Sequence, residues 1–199
     1  MASEVEIVNA AMTLLGEGRI TSLDDDIKQA REAKAIFTIE RDALLAGYTW
    51  SFAKARAQLA ALVGAPAFEY ALQYNLPTDC LRLIFVGDYY VGMDLTDYRG
   101  SSTKEFAIEG KKILTGMSSP LNVQYIYRVT DTAQFTAPFV KAFACQLAAS
   151  LAEPLTQSAT KRQAAESALN HAISLAVRAN AIELPPEKLP DDEWLQSRL

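Results

Sequence analysis

The sequence predicts an α+β fold in which N- and C-terminal helices form a helical bundle, an antiparallel β-rich region is inserted between them, and an extended C-terminal arm follows. Apolar residues recur at helical spacing towards both ends of the chain, whereas the middle alternates apolar and polar residues as strands do. The final stretch holds three of the eight prolines and cannot continue as a regular helix. We therefore divide the chain into N-terminal helices (1–53), the inserted β-rich region (54–130), C-terminal helices (131–182) and the arm (183–199).

Composition and charge limit the classes of function. The chain has 199 residues, 50% of them hydrophobic, which is enough to bury a core; its net charge of −5 offers no basic surface for nucleic acid or anionic lipid. Cys80 and Cys145 lie far apart in apolar stretches and lack zinc-ligand spacing, so we expect buried, reduced thiols. Glu4 and Glu6 stand where a secretion signal carries positive charge, which favours synthesis and use in the cytoplasm.

Capping signals predict the N-terminal helices. Ser3 and Glu6 form a capping box, and Gly16 supplies the left-handed residue that commonly ends a helix. The second helix is predicted to begin near Ser22 or Asp24, because acidic side chains are favoured beside the unpaired amides of a first turn. Its predicted buried stripe consists of Ile27, Ala30, Ala33, Phe37, Leu44 and Tyr48.

The connection LLGEGRITSLDDD (14–26) has the composition of a phosphate loop or a metal site. A dinucleotide-binding loop needs a third glycine at the position of Thr21 and a strand before its first glycine, where this sequence has a helix. Neighbouring residues on a helix point about 100° apart, so Asp24, Asp25 and Asp26 do not converge on one ion. We therefore favour a role in starting the second helix over metal binding or catalysis, and predict no cofactor and no metal.

The middle of the chain is predicted to form strands and turns. Trp50 and Phe52 form an aromatic cluster at its start, and residues 109–111 are predicted to form a tight hairpin turn. The stretch 87–104 is rich in Gly, Asp, Ser and Tyr and is predicted to be a long exposed loop. The predicted strand segments lie around residues 68–77, 81–86, 105–115 and 122–129.

Two helices are predicted after residue 131. Residues 139–152 are apolar nearly all round and form the central buried helix, which Glu153 and Pro154 close. At about 1.5 Å per residue this helix spans roughly 21 Å, short of the roughly 30 Å hydrocarbon layer, so we expect no membrane span. The last helix runs from about 159 to 179 and exposes His171, the only histidine, for which we find no catalytic partner. Its predicted packing face consists of Ala165, Ala168, Leu169, Ala172, Ile173, Ala176 and Ala179.

The arm carries apolar side chains that are costly to leave in water. Trp194, Leu195 and Leu199 follow the prolines, and an extended peptide with aromatic anchors suits a groove on a partner. We therefore expect the arm to dock on another molecule.

Several short stretches resemble, in order, the tail tubular protein A family, the head-to-tail adaptor of short-tailed bacteriophages. They span most of residues 5–180, and residues 88–103 carry no matching stretch. The resembling stretches are LG (15–16), ITSL (20–23), YTWSFA (48–53), YNLPTDCLR (74–82), IEGKKIL (108–114), VTD (129–131) running into Phe135, and LTQS (155–158).

The resemblance implies a structural virion protein of the neck or tail, assembled in the host cytoplasm and without catalytic residues. Such a protein docks as a ring, typically of twelve copies, beneath the phage portal protein and receives the tail nozzle protein on its other face. DNA passes through the lumen without specific binding, and an acidic chain suits that passage because it does not hold phosphates. The predicted partner-binding residues are Tyr89, Tyr90 and Tyr98 towards the nozzle, and Trp194, Leu195 and Leu199 towards the portal.

A glycan or peptidoglycan hydrolase is the alternative from another class. It would need two carboxyl groups roughly 5 to 10 Å apart in a cleft, one with a raised pKa. Candidates are Asp79, Asp88, Asp94 and Glu109, and nothing in their spacing selects a pair. A helical partner-binding protein unrelated to phage adaptors is a third possibility.

Overall fold

The computed structural model describes residues 2–91 and 105–183. Within these residues the chain is α+β, with helices at both ends and two antiparallel sheets between them, as the sequence predicts. The predicted arm lies outside the described residues from residue 184 onwards. The helices are α1 (Glu4–Leu15), α2 (Lys28–Gly47), α3 (Ala137–Thr156) and α4 (Ala159–Ile182). The strands are β1 (Lys54–Leu59), β2 (Leu72–Asn75), β3 (Cys80–Val86), β4 (Tyr89–Tyr90), β5 (Phe106–Glu109), β6 (Lys112–Thr115) and β7 (Leu121–Tyr127).

Helix α1 has the predicted ends. The backbone N–H of Ser3 donates to Glu6 Oε2 at 2.7 Å, and the N–H of Glu6 donates to Ser3 Oγ at 3.2 Å, which completes the capping box. Gly16 ends the helix with φ 67°, a left-handed conformation in which a residue without Cβ is not strained. Both capping predictions for this helix are confirmed.

The predicted start of α2 near Ser22 or Asp24 is wrong, because the helix begins at Lys28. The carboxylate of Asp25 turns back instead and accepts hydrogen bonds from the N–H of Thr21 (2.8 Å), the hydroxyl of Thr21 (2.8 Å) and the N–H of Ser22 (2.9 Å). Aspartate side chains form such local turns as readily as they cap helices. The three aspartates therefore belong to the connection and precede the helix.

The buried stripe of α2 is largely as predicted. Ala30, Ala33, Phe37 and Leu44 are buried, whereas Ile27 (40% exposed) and Tyr48 (37% exposed) at the two ends are not. Leu45 and Arg41 are buried in addition. The guanidinium of Arg41 pairs with Asp42 at 2.8 Å, which supplies the partner that a buried charge requires.

Helix α3 is the central buried helix that the sequence predicts, and it packs against α1, α2 and α4. Its predicted end at Glu153 and Pro154 is wrong, since the helix continues to Thr156 and ends at Gln157, where φ is 50°. Pro154 lies in the last turn, where its missing N–H removes a single backbone hydrogen bond. Its carbonyl accepts a hydrogen bond from Nζ of Lys28, which helps to satisfy this helix end.

Helix α4 covers α3 through small side chains. The buried residues of this helix include Ala165, Ala172 and Ala176. The helix extends to Ile182, three residues beyond its predicted end. His171 is exposed, as predicted. None of the helices among residues 2–91 and 105–183 is both long enough and apolar enough to cross a membrane.

The two sheets stack on one another, and the four-stranded sheet also packs against the helices. Strand order is β1-β7-β3-β4 in the four-stranded sheet and β2-β6-β5 in the three-stranded sheet. Along β7, Leu121, Val123 and Tyr125 point towards the three-stranded sheet and form a second core with Tyr74. Ile126 points the other way into the helical core. The two faces of β7 thus belong to two separate cores, and this strand joins them.

The β-rich region departs from prediction in three places, the first of which is strand β1, because it lies before all of the predicted strand segments. Tyr89–Tyr90 forms the short strand β4 inside the predicted exposed loop, because it pairs with the end of β3. Of the predicted segment 68–77, only Leu72–Asn75 is a strand. The hairpin turn at 109–111 is confirmed: Glu109 faces Lys112 across β5 and β6, and Gly110 has φ 59°.

Candidate partner-binding surfaces

The helical core and the sheets meet at the stretch between α2 and β1, which we call the junction (48–53). The ring of Trp50 is buried there, 5.0 Å from the ring of Phe139, and its Nε1 donates to the carbonyl of Leu44 at 2.9 Å. Phe52 stacks beside Trp50 and lies 5.0 Å from Phe139. The predicted aromatic cluster is therefore present, and α3 supplies the third aromatic ring.

The end of α4 is bound to this junction. Asn180 donates from Nδ2 to the carbonyl of Thr49 at 2.8 Å, and its Oδ1 accepts from the N–H of Ser51 at 2.7 Å. The hydroxyl of Ser51 donates to Glu183 Oε2 at 2.9 Å. Residue 183, the last described residue, is thus fixed beside the start of β1. Nothing in the sequence around Asn180 indicates this role, because its partners lie about 130 residues away.

A hollow of about 340 Å³, which we call the junction hollow, opens beside these contacts. Arg82 on β3 donates from Nη2 to the hydroxyl of Thr49 at 2.9 Å, while its Nε is buried and has no hydrogen-bond partner among the described residues. Arg82 also forms no ion pair with any residue in 2–91 or 105–183. The hollow is lined by Gly47, Tyr48, Thr49, Trp50, Arg82, Val177, Asn180 and Ala181.

A second concavity, of about 600 Å³, lies on the four-stranded sheet, and we call it the amide face. Its polar side chains are the exposed Arg56, Gln58 and Asn122 and the half-buried Gln124. Gln58 donates from Nε2 to Asn122 Oδ1 at 3.1 Å. Phe85 forms one side of the concavity. Among the described residues that line the amide face there is no carboxylate, and the one charged group is the guanidinium of Arg56. It can therefore accept and donate several hydrogen bonds without strong charge.

The two predicted nozzle-binding tyrosines of β4 lie on opposite sides of the strand. Tyr90 is 43% exposed and packs edge-on against Phe85 at 5.2 Å, which places it at the border of the amide face. Tyr89 pairs with Val86 and is half-buried. The other predicted partner-binding residues, Tyr98, Trp194, Leu195 and Leu199, lie outside the described residues.

The three candidate hydrolase carboxylates that the structure describes lie in separate places. Asp79 accepts a hydrogen bond from the hydroxyl of Tyr125 at 3.3 Å, and burial together with that carboxylate raises the pKa of Tyr125. Asp88 is exposed in the turn between β3 and β4, and Glu109 ends β5. Asp94 lies outside the described residues.

Glu109 does have one acidic neighbour that the sequence did not indicate. It lines a hollow of about 260 Å³ together with Glu69 and Tyr70, and we call this the acidic hollow. Glu69 has a left-handed φ of 67°, which is uncommon for a residue with a side chain. Burial raises the pKa of Tyr70, and the charges of Glu69 and Glu109 raise it further. Lys112 reaches across the same hollow to Gln73 Oε1 at 3.1 Å.

The three consecutive aspartates each have a different partner. Asp24 pairs with Lys34 at 2.6 Å and Asp26 with Arg31 at 2.9 Å, while Asp25 binds the backbone as described above. Backbone hydrogen bonds from Ser22 and Thr21 lower the pKa of Asp25. No cluster of three or more His, Cys, Asp or Glu residues placed to hold a metal occurs in the described part of the chain.

The two cysteines are free thiols. Burial and the neighbouring Asp79 raise the pKa of Cys80 to about 11, and burial raises the pKa of Cys145. A thiol with a raised pKa carries little thiolate near neutral pH and is a poor nucleophile. Cys145 is buried, as predicted, whereas the prediction of a buried thiol is wrong for Cys80, which is only partly buried.

Comparison of the sequence with protein-family models and with curated proteins finds no match. We therefore infer the function from the surfaces described above and from the resemblance of the short stretches.

Proposed function

We propose that this chain is a structural head-to-tail adaptor of a short-tailed bacteriophage. Copies assemble as a ring, typically of twelve, beneath the portal protein, and the ring carries the tail nozzle protein on its other face. The observation that carries the proposal is the division into two cores joined by β7: a helical body and a stacked pair of sheets. An adaptor needs two different partner surfaces held at a fixed separation, and two cores that share a strand provide this.

The positions of the resembling stretches support the proposal. YTWSFA (48–53) forms the junction, ITSL (20–23) forms the turn that Asp25 closes, and LTQS (155–158) contains the connection between α3 and α4. IEGKKIL (108–114) contains the β5–β6 hairpin. These are the places where the chain changes direction, so the resemblance falls on residues that determine this architecture.

The two partner surfaces are assigned by their chemistry. The amide face and Tyr90 face the nozzle protein, because an exposed tyrosine beside several amide side chains offers contact area and adaptable hydrogen bonds. The helices and the arm with Trp194, Leu195 and Leu199 face the portal. The net charge of −5 lets DNA slide through the lumen. Contacts between neighbouring copies are weak until the portal arrays them, so free subunits are monomers.

Binding to the portal is tested by deleting residues 185–199. We expect the truncated chain to lose binding to a purified portal ring while its melting temperature stays nearly unchanged, because the arm follows the last described helix. Tyr90→Ala is the matched variant on the other face: it should keep portal binding and weaken nozzle binding. A truncated chain that still binds the portal would rule out the arm's assigned role.

A cell-wall hydrolase is a second candidate, and the acidic hollow is the observation that favours it. Glu69 and Glu109 line one hollow, and a pair of carboxyl groups is the usual machinery for cleaving glycosidic bonds. A zymogram on peptidoglycan with the purified chain tests this function. Clearing that disappears in both Glu69→Gln and Glu109→Gln but persists in Asp88→Asn would support it. Absence of clearing by the unmodified chain would exclude it for that substrate.

A further inference from the structure

The junction hollow holds a positive charge that no described residue neutralises. The guanidinium of Arg82 is half-buried, has the neutral hydroxyl of Thr49 as a hydrogen-bond partner, and has a buried Nε without any partner among the described residues. Leaving such a donor unsatisfied costs free energy. Arginine commonly binds a carboxylate through two parallel hydrogen bonds, so an acidic side chain entering the hollow would supply the opposite charge that this guanidinium lacks among the described residues.

The walls of the junction hollow suit a short peptide segment. Tyr48, which is 37% exposed, presents an aromatic side chain, and Val177 and Ala181 of α4 add apolar surface. The volume of about 340 Å³ is at the small end of the roughly 300–1,000 Å³ that ligand sites occupy. It accommodates one or two side chains rather than a large ligand.

The sequence beyond residue 183 contains a segment of matching charge. Asp191, Asp192 and Glu193 are three consecutive acidic residues, and they belong to the sixteen-residue stretch 184–199. That stretch leaves the described chain beside the hollow, because Glu183 is bound to Ser51 at the junction. The negative charge of residues 191–193 complements that of Arg82, and the described chain ends beside the hollow. Both observations indicate this segment as the occupant of the hollow.

The spacing favours the hollow of a second copy over that of the same chain. Residues 184–190 include three prolines, and proline-rich linkers extend by about 3.1 Å per residue, or roughly 22 Å over seven residues. A linker of this length is long enough to bring the acids to a hollow other than the one beside which it starts. An adjacent copy of the chain offers the same hollow at a distance.

We propose that residues 191–193 of one copy bind Arg82 in the junction hollow of a second copy. The contact leaves Trp194, Leu195 and Leu199 available for another partner. It needs two copies of this chain and does not depend on a portal, so its failure and the failure of the adaptor function are separate results.

A labelled peptide tests the contact. A fluorescein-labelled peptide of residues 184–199 is titrated with the full-length chain, and binding is followed by fluorescence anisotropy. We expect saturable binding that weakens about tenfold or more when Arg82 is changed to Gln, or when the peptide carries Asn, Asn and Gln at positions 191–193. Arg19→Gln, which removes an exposed arginine from the connection between α1 and α2, is the matched control and should bind as the unmodified chain does.

Two further measurements make every outcome of the experiment decisive. Because Arg82→Gln also loses its bond to Thr49, the charge reversal Arg82→Glu is paired with a peptide that carries lysine at 191–193, and regained binding shows that charge rather than misfolding was lost. A full-length chain with its own residues 191–193 neutralised should bind the peptide as tightly as the unmodified chain. If it binds about tenfold more tightly, the segment occupies its own hollow and the proposed contact between copies is wrong. Absence of binding, or equal binding by Arg82→Gln, also overturns the proposal.

Discussion

The carboxamide of Asn9 on α1 forms both of its backbone hydrogen bonds with a single residue, Ile20. Nδ2 of Asn9 donates to the carbonyl of Ile20 at 2.9 Å, and Oδ1 accepts from the N–H of Ile20 at 2.8 Å. The side chain of Ile20 is 3% exposed and belongs to the helical core. One side chain thus fixes the connection between α1 and α2, which contains no regular secondary structure.

Replacing Asn9 with Ala should therefore destabilise the whole helical body. Two partly buried backbone groups lose their partner, and we expect a loss of about 2 kcal/mol in the free energy of unfolding, with a fall in melting temperature of roughly 4 to 8 °C. Urea and thermal unfolding measure both quantities. Asn170→Ala, at an exposed position of α4, is the control and should change the free energy by less than about 0.5 kcal/mol. Equal effects from the two variants would contradict this account of Asn9.

Glu40 links α2 to α3 through two short hydrogen bonds. Its carboxylate accepts from Nε2 of Gln146 and from the hydroxyl of Ser150, both at 2.6 Å. Glu40→Ala leaves both donors without this acceptor, and we expect a loss of about 2 kcal/mol in urea unfolding. Glu166→Ala, at an exposed position of α4, should cost less than about 0.5 kcal/mol. A stability of Glu40→Ala equal to that of the unmodified chain would show that water replaces these bonds without cost.

The turn that Asp25 closes predicts how the stability of the chain changes at low pH. Because hydrogen bonds from Ser22 and Thr21 lower the pKa of this carboxyl in the folded chain, its contribution to stability is present above the unfolded pKa of about 3.9 and is lost as the pH falls through the lowered folded value. The difference in unfolding free energy between the unmodified chain and Asp25→Asn should be clear at neutral pH and shrink in acid. Asp26→Asn, whose carboxylate lies in an exposed ion pair, should show a smaller difference. A difference for Asp25→Asn that is independent of pH would contradict the hydrogen-bonded turn.

The raised pKa of Cys80 predicts a loss of stability at alkaline pH. Its thiol has a pKa of about 11 in the folded chain against an ordinary value of 9.0. Below the ordinary value the thiol is protonated in both states; as the pH rises towards 11, the unfolded chain releases its proton first and unfolding becomes easier. The stability difference between the unmodified chain and Cys80→Ala should therefore be constant near neutral pH and fall between pH 9 and 11. A flat difference across that range would mean that the thiol is solvated in the folded chain.

Local patterns in the sequence predict the elements whose residues are near one another in the chain. Ser3 and Glu6 cap α1 across a single turn, and residues 109–111 join two consecutive strands that pair with each other. The sequence pattern places Asp25 in the wrong element, because aspartate can either cap a helix or close a turn and the choice depends on Thr21 and Ser22.

The candidate sites depend instead on contacts over long separations. Asn180 binds Thr49 across 131 residues, and Arg82 reaches Thr49 across 33, so no local spacing indicates the junction hollow. Strand β4 exists because Tyr90 pairs with Phe85, although the Gly-, Asp- and Ser-rich stretch 87–104 that contains it is typical of a loop. Glu69 and Glu109 likewise come together only when the chain before β2 lies over the three-stranded sheet.

The proposed adaptor function is tested most directly by imaging a mixture of the full-length chain and a purified phage portal ring. We predict that electron micrographs show a closed ring of this chain on one end of the portal, with the helices towards the portal and the sheets pointing away. Portal rings that remain bare when the chain is in excess would contradict the account.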